Sequence, residues 1–372
     1  LLSGLGVQHN ALMQRNMRFR ERARIATTAV AISGTIALGA ALLGAGPWAL
    51  VAQAITSELI TLCLLWRASD FRPGAFRWSR DAAEMLRFGG QFLLFRVLGY
   101  AAHNLQVVLV GREVGVAAAA LYTRAYFFNR QILGYANDTA GQLANSALPK
   151  LIENPVRLRQ FYLRCLNVIF LATAPVAVAC GLHGADIVSF LFGPQWLAAG
   201  KSLEILSVGM ALQPLLFSTG WLYFAYGDMA GLVRWGMFGW VVMIAAGIVG
   251  VRWGVQGVAW AWSAGIVLLA LPCCHYAYQG RSIRLQDVLP IVSRPLGAAL
   301  LAGAASSAAS AALSLPSVYA RLPVDACIMA ATYFGLLWWP FGQRPLIDEI
   351  IQSLRRASPP HTSTLSSSPP HV

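Results

Sequence analysis

The sequence predicts an all-α integral membrane protein. Of its 372 residues, 57% are hydrophobic and only 12% are charged, whereas about a quarter of the residues in a soluble domain are charged. The mean hydropathy of +0.58 comes from apolar runs of roughly 20 residues, the length that crosses the hydrocarbon core of a bilayer. Because these runs recur along the whole chain with short polar segments between them, we expect a multi-pass helical bundle.

Gly, Pro and charged residues divide the chain into one partial helix, residues 1–13, and about ten full transmembrane helices. The ten spans are predicted at about 25–43, 49–66, 84–111, 115–148, 161–181, 202–226, 231–251, 254–276, 289–313 and 323–341. The ninth is so rich in Ala, Gly and Ser that it favours tight helix packing over lipid contact. Residues 182–199 are expected to form a small interfacial or re-entrant element. An amphipathic segment at 342–356 and a disordered tail at 357–372 complete the prediction.

Basic residues fall mostly in alternate loops. If the ten predicted spans alternate in direction, the loops on one side carry 21 Lys and Arg residues and those on the other side carry four. Cytoplasmic loops are the basic ones in membrane proteins, so the sequence predicts a cytoplasmic C-terminus. This orientation accounts for most of the net charge of +13, and we expect no nucleic-acid partner.

The third and fourth predicted spans carry polar groups that a bilayer disfavours. On the third span four such residues share one helical face, and the fourth adds two arginines: Arg96, Tyr100, His103, Asn104, Arg124 and Arg130. An arginine at the centre of a membrane helix costs about 2.5–3.5 kcal/mol on insertion scales, so it usually faces a cavity or a partner. Because guanidinium binds phosphate bidentately, we predict that these residues line a path for an anionic substrate. The alternative is that the arginines snorkel or form structural ion pairs.

Three acids lie in or beside the predicted spans: Glu58, Asp138 and Glu204. Such groups can carry protons or sodium ions in coupled transporters, and compensation of the arginines is the alternative. The sequence has no phosphate-binding glycine loop, no nucleophile elbow and no zinc-protease helix. We therefore predict no catalytic residue, no metal site and no cofactor.

Five stretches of sequence form an ordered set of motifs. They are Gly4 to Phe19 with Ala11-Leu12, Arg15 and Arg18-Phe19; Gly46-Pro47-Trp48-Ala49-Leu50-Val51; Phe88-Gly89 with Asn104-Leu105-Gln106 and Gly111-Arg112; Leu121-Tyr122-Thr123-Arg124-Ala125-Tyr126; and Phe192-Gly193-Pro194-Gln195-Trp196. In order and spacing they resemble the polysaccharide transporters, the Wzx-type oligosaccharide flippases of the MOP superfamily that also contains the MATE drug exporters. One departure is Gln106, which stands where the family often has Asp.

The resemblance implies a MATE/MOP-like two-lobe bundle whose first lobe is incomplete at the N-terminus. Residues 1–83 would be the remnant of the first lobe, 84–276 the second six-helix lobe, 277–341 two extra transmembrane helices, and 342–372 a cytoplasmic segment and tail. It also implies a non-enzymatic flippase of the bacterial inner membrane that moves an undecaprenyl-diphosphate-linked oligosaccharide by alternating access. The cargo would be an O-antigen, capsule or exopolysaccharide repeat unit. Its partners would be this substrate, membrane lipids and polysaccharide polymerase or export machinery.

Two other functions are compatible with a helical membrane protein. A MATE-like cation-coupled drug antiporter would favour an acidic cavity, whereas the predicted face is basic. A polytopic glycosyltransferase or polymerase of the same pathway would need carboxylates on a sizeable loop, and the predicted loops are about 20 residues or shorter.

Overall fold

The computed structural model describes residues 2–69, 71–72, 74, 79–313 and 317–338. The predicted amphipathic segment and tail at 342–372 lie outside the described residues. The helices in the described part are α1 (Leu2–Arg15), α2 (Phe19–Leu42), α3 (Trp48–Ala68), α4 (Arg80–Glu113), α5 (Val116–Ala147), α6 (Pro155–Phe192), α7 (Leu197–Met210), α8 (Gln213–Ala225), α9 (Met229–Gly250), α10 (Gly254–Tyr278), α11 (Leu285–Leu313) and α12 (Val318–Trp338). The prediction of an all-α membrane protein is confirmed.

Within the described residues, each of the ten predicted spans overlaps one of these helices and agrees with its ends to within a few residues, except that 202–226 covers α7 and α8 and that the helix predicted at 161–181 is longer. Among the described residues, seven helical segments are long and apolar enough to cross a membrane, or eight if the bent pair α7–α8 is one span. One of the seven, Met229–Tyr278, contains both α9 and α10. One predicted span, α5, is not among these membrane-crossing segments. It carries the charged residues Arg124, Arg130 and Asp138. The count of ten membrane crossings therefore stays a prediction.

The end of α6 differs from the prediction. The sequence predicts a span that ends at about Gly181 and a small interfacial or re-entrant element at 182–199, and the first helical piece does end at a bend two residues after Gly181. α6 bends at His183 (φ −125°, ψ 25°) and continues to Phe192. Gly193 then turns the chain at φ +93°, a conformation that favours glycine because it has no Cβ.

The predicted single span at 202–226 is two helices. α7 ends at Met210 and α8 begins at Gln213, with a bend of 46° between them. The N–H of Leu212 donates to the carbonyl of Gly209 at 3.1 Å, which is the tighter 3₁₀ pattern. Pro214 follows and has no N–H to continue an α-helical ladder. Hydropathy is high on both sides of this break, which is why the sequence pattern predicts one helix.

The chain forms two compact units. The first comprises Leu1–Val97, Asp138–Leu158 and Trp221–Arg234. In it α2 and α1 both pack against α3, around a small core of Met13, Ile25 and Leu65.

The second unit comprises Leu98–Asn137, Arg159–Gly220 and Trp235–Val372, of which 314–316 and 339–372 lie outside the described residues. Its main core draws residues from α4, α5, α6, α7, α9 and α10, and α11 packs against α12. On α11, a Cβ added to Gly303 would lie 2.6 Å from Leu182 and 2.8 Å from Val178 of α6. The prediction that the small residues of this helix serve close helix packing is confirmed.

Candidate functional site

A small polar and aromatic pocket lies within the second unit. Its volume is about 20 Å³, enough for about one water molecule. It is lined by Ala102, His103 and Gln106 of α4, Tyr126 of α5, Trp240 and Met243 of α9, and Trp262 of α10. One of the predicted binding residues, His103, is therefore part of its wall.

The pocket wall is built on ring packing. The imidazole of His103 stacks on Tyr126 with ring centroids 4.1 Å apart and planes 24° apart. Tyr126 in turn meets the edge of Trp262 at 5.8 Å. Edge-to-face and offset contacts of this kind hold aromatic rings in fixed orientations. Nδ1 of His103 is buried and has no hydrogen-bond partner among the described residues, so it is a place where a ligand can bond.

Gln106, another residue of the pocket wall, links the helices α4, α5 and α9. Its amide donates to the carbonyl of Met243 on α9 at 3.4 Å, and its oxygen accepts from the hydroxyl of Tyr122 on α5 at 3.2 Å. Gln106 is only 3% exposed and Tyr122 is fully buried. Because the amide is neutral, its burial costs far less than that of a carboxylate at the same place. At the position where the family often has Asp, Gln106 thus forms hydrogen bonds that connect neighbouring helices.

The positive charge of Arg130 reaches this pocket wall. It acts electrostatically on both His103 and Tyr126, although the Arg130 side chain itself is exposed. No carboxylate pairs with Arg130 among the residues that the structure describes. An exposed guanidinium without a carboxylate partner suits an anionic head group.

Arg124 is held elsewhere. Its guanidinium carbon lies 4.8 Å from the ring centroid of Phe192 and 4.6 Å from that of Trp196. Arg130 lies six positions after Arg124, which places them about 120° apart around α5. The structure therefore assembles Arg130 and His103 and separates Arg124 from them. A guanidinium held between two aromatic rings has a structural role. For Arg124 this contact favours the structural alternative over substrate binding.

The remaining predicted residues of α4 are more exposed. Arg96 belongs to the first unit; its side chain is exposed, and its guanidinium lies 5.7 Å from the Phe92 ring centroid on the same helix. Tyr100 is 72% exposed. The amide of Asn104 donates to the carbonyl of Tyr100 at 2.7 Å, so it is engaged within its own helix. In the described residues Arg96 has no carboxylate partner, unlike a structural arginine in an ion pair.

The three predicted ion-coupling acids have different surroundings. Glu58 and Asp138 are exposed. Glu204 is half-buried: one carboxylate oxygen accepts from Lys201 at 2.9 Å and the other from the backbone N–H of Ala185 at 3.3 Å. That N–H lies two residues after the bend of α6 at His183. For Glu204, charge compensation and backbone capping are therefore the observed contacts.

Sequence patterns did not indicate two features of the second unit. The aromatic side chains of Trp240 and Trp262 give no signal in a sequence that is already apolar. The buried pair of His183 and Asp325, 3.9 Å apart, joins α6 to α12. The one signal in the sequence is that Asp325 is an isolated acid in a predicted span, where an ionisable residue usually has a function or a partner.

A family model for polysaccharide biosynthesis proteins matches residues 1–201, more than half of the chain. The chain belongs to this polysaccharide biosynthesis protein family. The lipopolysaccharide biosynthesis protein WzxC of Escherichia coli strain K12 is 24% identical to it over 209 residues, 55% of this chain and 42% of WzxC. The succinoglycan biosynthesis transport protein ExoT of Rhizobium meliloti strain 1021 is 24% identical over 306 residues, 78% of this chain and 59% of ExoT. The chain spans about half the length of these curated relatives.

One solved structure has a fold similar to that of this chain. The lipid II flippase MurJ, in an inward closed conformation, matches with a TM-score of 0.58 over 86% of this chain and 67% of MurJ, at 14% identity. The predicted helical membrane bundle therefore shares its fold with this structure. The protein is a multi-pass membrane protein.

The structure brings two of the family-like motifs together. Arg124 comes from the Leu121 to Tyr126 stretch, and its two aromatic partners begin and end the Phe192 to Trp196 stretch. The turn at Gly193 places Phe192 and Trp196 on the same side, facing α5. The spacing of the second motif thus has a physical reason, which is to present two rings to one guanidinium.

We expect this cation–π contact to stabilise the second unit. A double-mutant cycle of Arg124→Gln and Trp196→Leu should give a coupling of about 0.5–2 kcal/mol in unfolding free energy. The measurement is reversible denaturation of the purified protein in detergent. Trp253→Leu is the control, because Trp253 is 70% exposed and should not couple to Arg124. Additive effects of the Arg124 and Trp196 substitutions would show that the contact contributes nothing.

Proposed function

We propose that this protein is a non-enzymatic flippase that moves an undecaprenyl-diphosphate-linked oligosaccharide across the bacterial inner membrane by alternating access. The observation that carries the proposal is a MurJ-like helical bundle whose α4 and α5 hold arginines without carboxylate partners among the described residues. A diphosphate that crosses a membrane needs positive charge to replace its water, and Arg supplies it at any physiological pH. Arg96 in the first unit and Arg130 in the second unit are each proposed to supply such a charge.

The names of the relatives agree with this substrate class. They refer to lipopolysaccharide biosynthesis for WzxC and to succinoglycan biosynthesis transport for ExoT, while the solved neighbour is a lipid II flippase. The stacked rings of Tyr126 and His103 add flat faces that suit the less charged parts of a head group. Membrane lipids and polysaccharide polymerase or export machinery are the partners that this function implies.

The alternatives lack a comparable arrangement. A cation-coupled drug antiporter needs acids gathered at a cation-binding pocket, but Glu58, Asp138 and Glu204 do not line the described pocket, and Glu204 is paired with Lys201. A glycosyltransferase or polymerase needs carboxylates placed to act on a sugar. Among the described residues, the pocket wall contains no carboxylate.

Deletion of the gene tests the proposal. We expect loss of surface polysaccharide, with lipid-linked oligosaccharide still made but held on the cytoplasmic leaflet. The measurement is labelling of the oligosaccharide by a membrane-impermeant lectin in intact and in opened spheroplasts. A glycosyltransferase would instead leave no complete oligosaccharide, and a polymerase would leave it exposed on the outer leaflet. Either result, or normal surface polysaccharide, would contradict the proposal.

The proposed orientation has support within the second unit. Among the described residues, the ion pairs of Arg321 with Asp186 and of Arg159 with Asp287 join different helices of this unit, and the alternation of spans places both members of each pair on the same side. Pairs within one side are expected if the predicted alternation is correct. We propose that the Arg159 side is cytoplasmic.

Reporter fusions test this orientation. A fusion after residue 357 should be fluorescent with a fluorescent protein and inactive with alkaline phosphatase, because the C-terminus is proposed to be cytoplasmic. A fusion in the loop at Arg252 should show the opposite pattern and serves as the control. Phosphatase activity at residue 357 would show that the predicted alternation, and with it the number of spans, is wrong.

A further inference from the structure

Two ionisable side chains meet in the interior of the second unit. His183 lies at the bend of α6, where its backbone leaves the helical region, and Asp325 lies in the second turn of α12. Nδ1 of His183 is 3.9 Å from Oδ2 of Asp325. The side chains are 11% and 3% exposed, respectively, so both are withdrawn from the surface.

The polar atoms of this pair are unsatisfied. Neither carboxylate oxygen of Asp325 accepts a hydrogen bond from a described residue, and Nε2 of His183 has no partner there either. Buried polar atoms are nearly always hydrogen-bonded, and a buried carboxylate without a donor or counter-charge is among the costliest arrangements in a protein. One proton on the carboxyl group of the pair lowers this cost, because it removes the buried negative charge.

The packing around the pair is tight and mostly apolar. From α11, the hydroxyl of Ser306 donates to the backbone carbonyl of Asp325 at 3.0 Å. One turn earlier in α11, Gly303 is in close contact with Leu182, the neighbour of His183. On α12, Met329 lies one turn after Asp325 and is buried. Three helices therefore enclose the pair.

The other charged groups near the pair are already compensated. Besides Asp325, those that act electrostatically on His183 are Arg321 and Glu204. Arg321, one turn before Asp325 on α12, pairs with Asp186 of α6. Glu204 of α7 pairs with Lys201. Neither residue supplies a free counter-charge to Asp325, which leaves His183 as its partner.

We propose that His183 and Asp325 form a proton-binding site that holds one proton between α6 and α12. Loss of that proton leaves a buried carboxylate that no described protein group solvates, and this weakens the packing of α12 against α6 and α11. A metal ion is disfavoured as the occupant, because among the described residues no three His, Cys, Asp or Glu side chains come together. His183 and Asp325 lie on α6 and α12 and do not line the pocket at α4 and α5. This proposal therefore does not depend on the proposed flippase function.

Infrared spectroscopy of the purified full chain in lipid nanodiscs tests the site directly. The C=O stretch of a protonated carboxyl group should change in intensity with pH in the wild-type protein. Asp325→Asn should remove this titrating band, and His183→Gln should move the pH at which it titrates. Glu58→Gln is the matched control, because Glu58 is an exposed acid in another predicted span, and it should leave the band in place.

The outcomes separate this proposal from the proposed function, since no substrate and no transport enter the measurement. Wild-type elution profiles and helix content for Asp325→Asn will show that the variant is folded. A titrating band that is unchanged in both Asp325→Asn and His183→Gln would overturn the proposal. If Asp325→Asn does not fold, the result for His183→Gln decides: a shifted titration supports the site, and an unchanged titration overturns it.

Discussion

Replacing Arg96 by alanine is expected to lower surface polysaccharide by about tenfold or more while the protein stays in the membrane at normal abundance. The guanidinium is exposed and has no carboxylate partner in the described structure, so its loss leaves no buried charge behind. An apolar residue is also easier to insert into a bilayer than an arginine. If Arg96 binds a diphosphate during transport, a charge-assisted hydrogen bond worth about 1.5–3 kcal/mol disappears.

Arg96→Lys separates charge from geometry. Lysine keeps the positive charge but cannot form the two parallel hydrogen bonds of a guanidinium fork. We therefore expect an intermediate loss of polysaccharide, smaller than that for alanine. Arg112→Ala is the matched control, because Arg112 is an exposed arginine at the end of the same helix and should have little effect.

Surface polysaccharide and membrane abundance must be measured together for all three variants. Normal polysaccharide from Arg96→Ala at normal abundance would show that Arg96 does not contact the substrate. Loss of abundance in both Arg96 variants would instead indicate a structural role, with the arginine needed for folding.

Much of the helical fold follows from hydropathy and from turn residues. Apolar runs interrupted by Gly44-Ala45-Gly46-Pro47 or by Gly115 identify α2 to α5, and Gly115 takes the positive φ expected of a turn glycine. The bend of α6 and the break between α7 and α8 could not be predicted in this way. Hydropathy measures how apolar a segment is, whereas a break depends on which backbone N–H and carbonyl groups are paired.

The candidate site was predictable only in part. Polar residues on an apolar helix are conspicuous, and one of them, His103, does line the pocket wall. The partners of Arg124 could not be inferred, because Phe192 and Trp196 are distant in sequence and aromatic residues are common in membrane helices. Asp325 and His183 were missed for a related reason: each is isolated in sequence, and only the packing of α6 against α12 brings them together.

The contact between α6 and α7 is the place where we expect substitutions to destabilise the fold most. At the contact between α6 and α7, a Cβ added to Gly200 would lie 2.2 Å from the Cα of Ala185 and 2.7 Å from its backbone nitrogen. Both are backbone atoms, so a rotamer change cannot relieve the clash. On the facing helix, a Cβ at Gly184 would lie 2.9 Å from the carbonyl oxygen of Gly200. The two helices therefore touch through their backbones, as small residues permit in membrane proteins.

We expect Gly200→Ala to lower the unfolding free energy by about 3 kcal/mol, because the helices must separate to admit the methyl group. Gly200→Leu should prevent the second unit from folding. The opposite sign is expected for Gly335→Ala, since glycine in a helix usually costs about 0.5–1 kcal/mol relative to alanine and nothing lies within 4 Å of a Cβ at Gly335. Thermal unfolding of the purified variants measures all three. A Gly200→Ala protein that melts at or above the wild-type temperature would show that α6 and α7 are not in backbone contact.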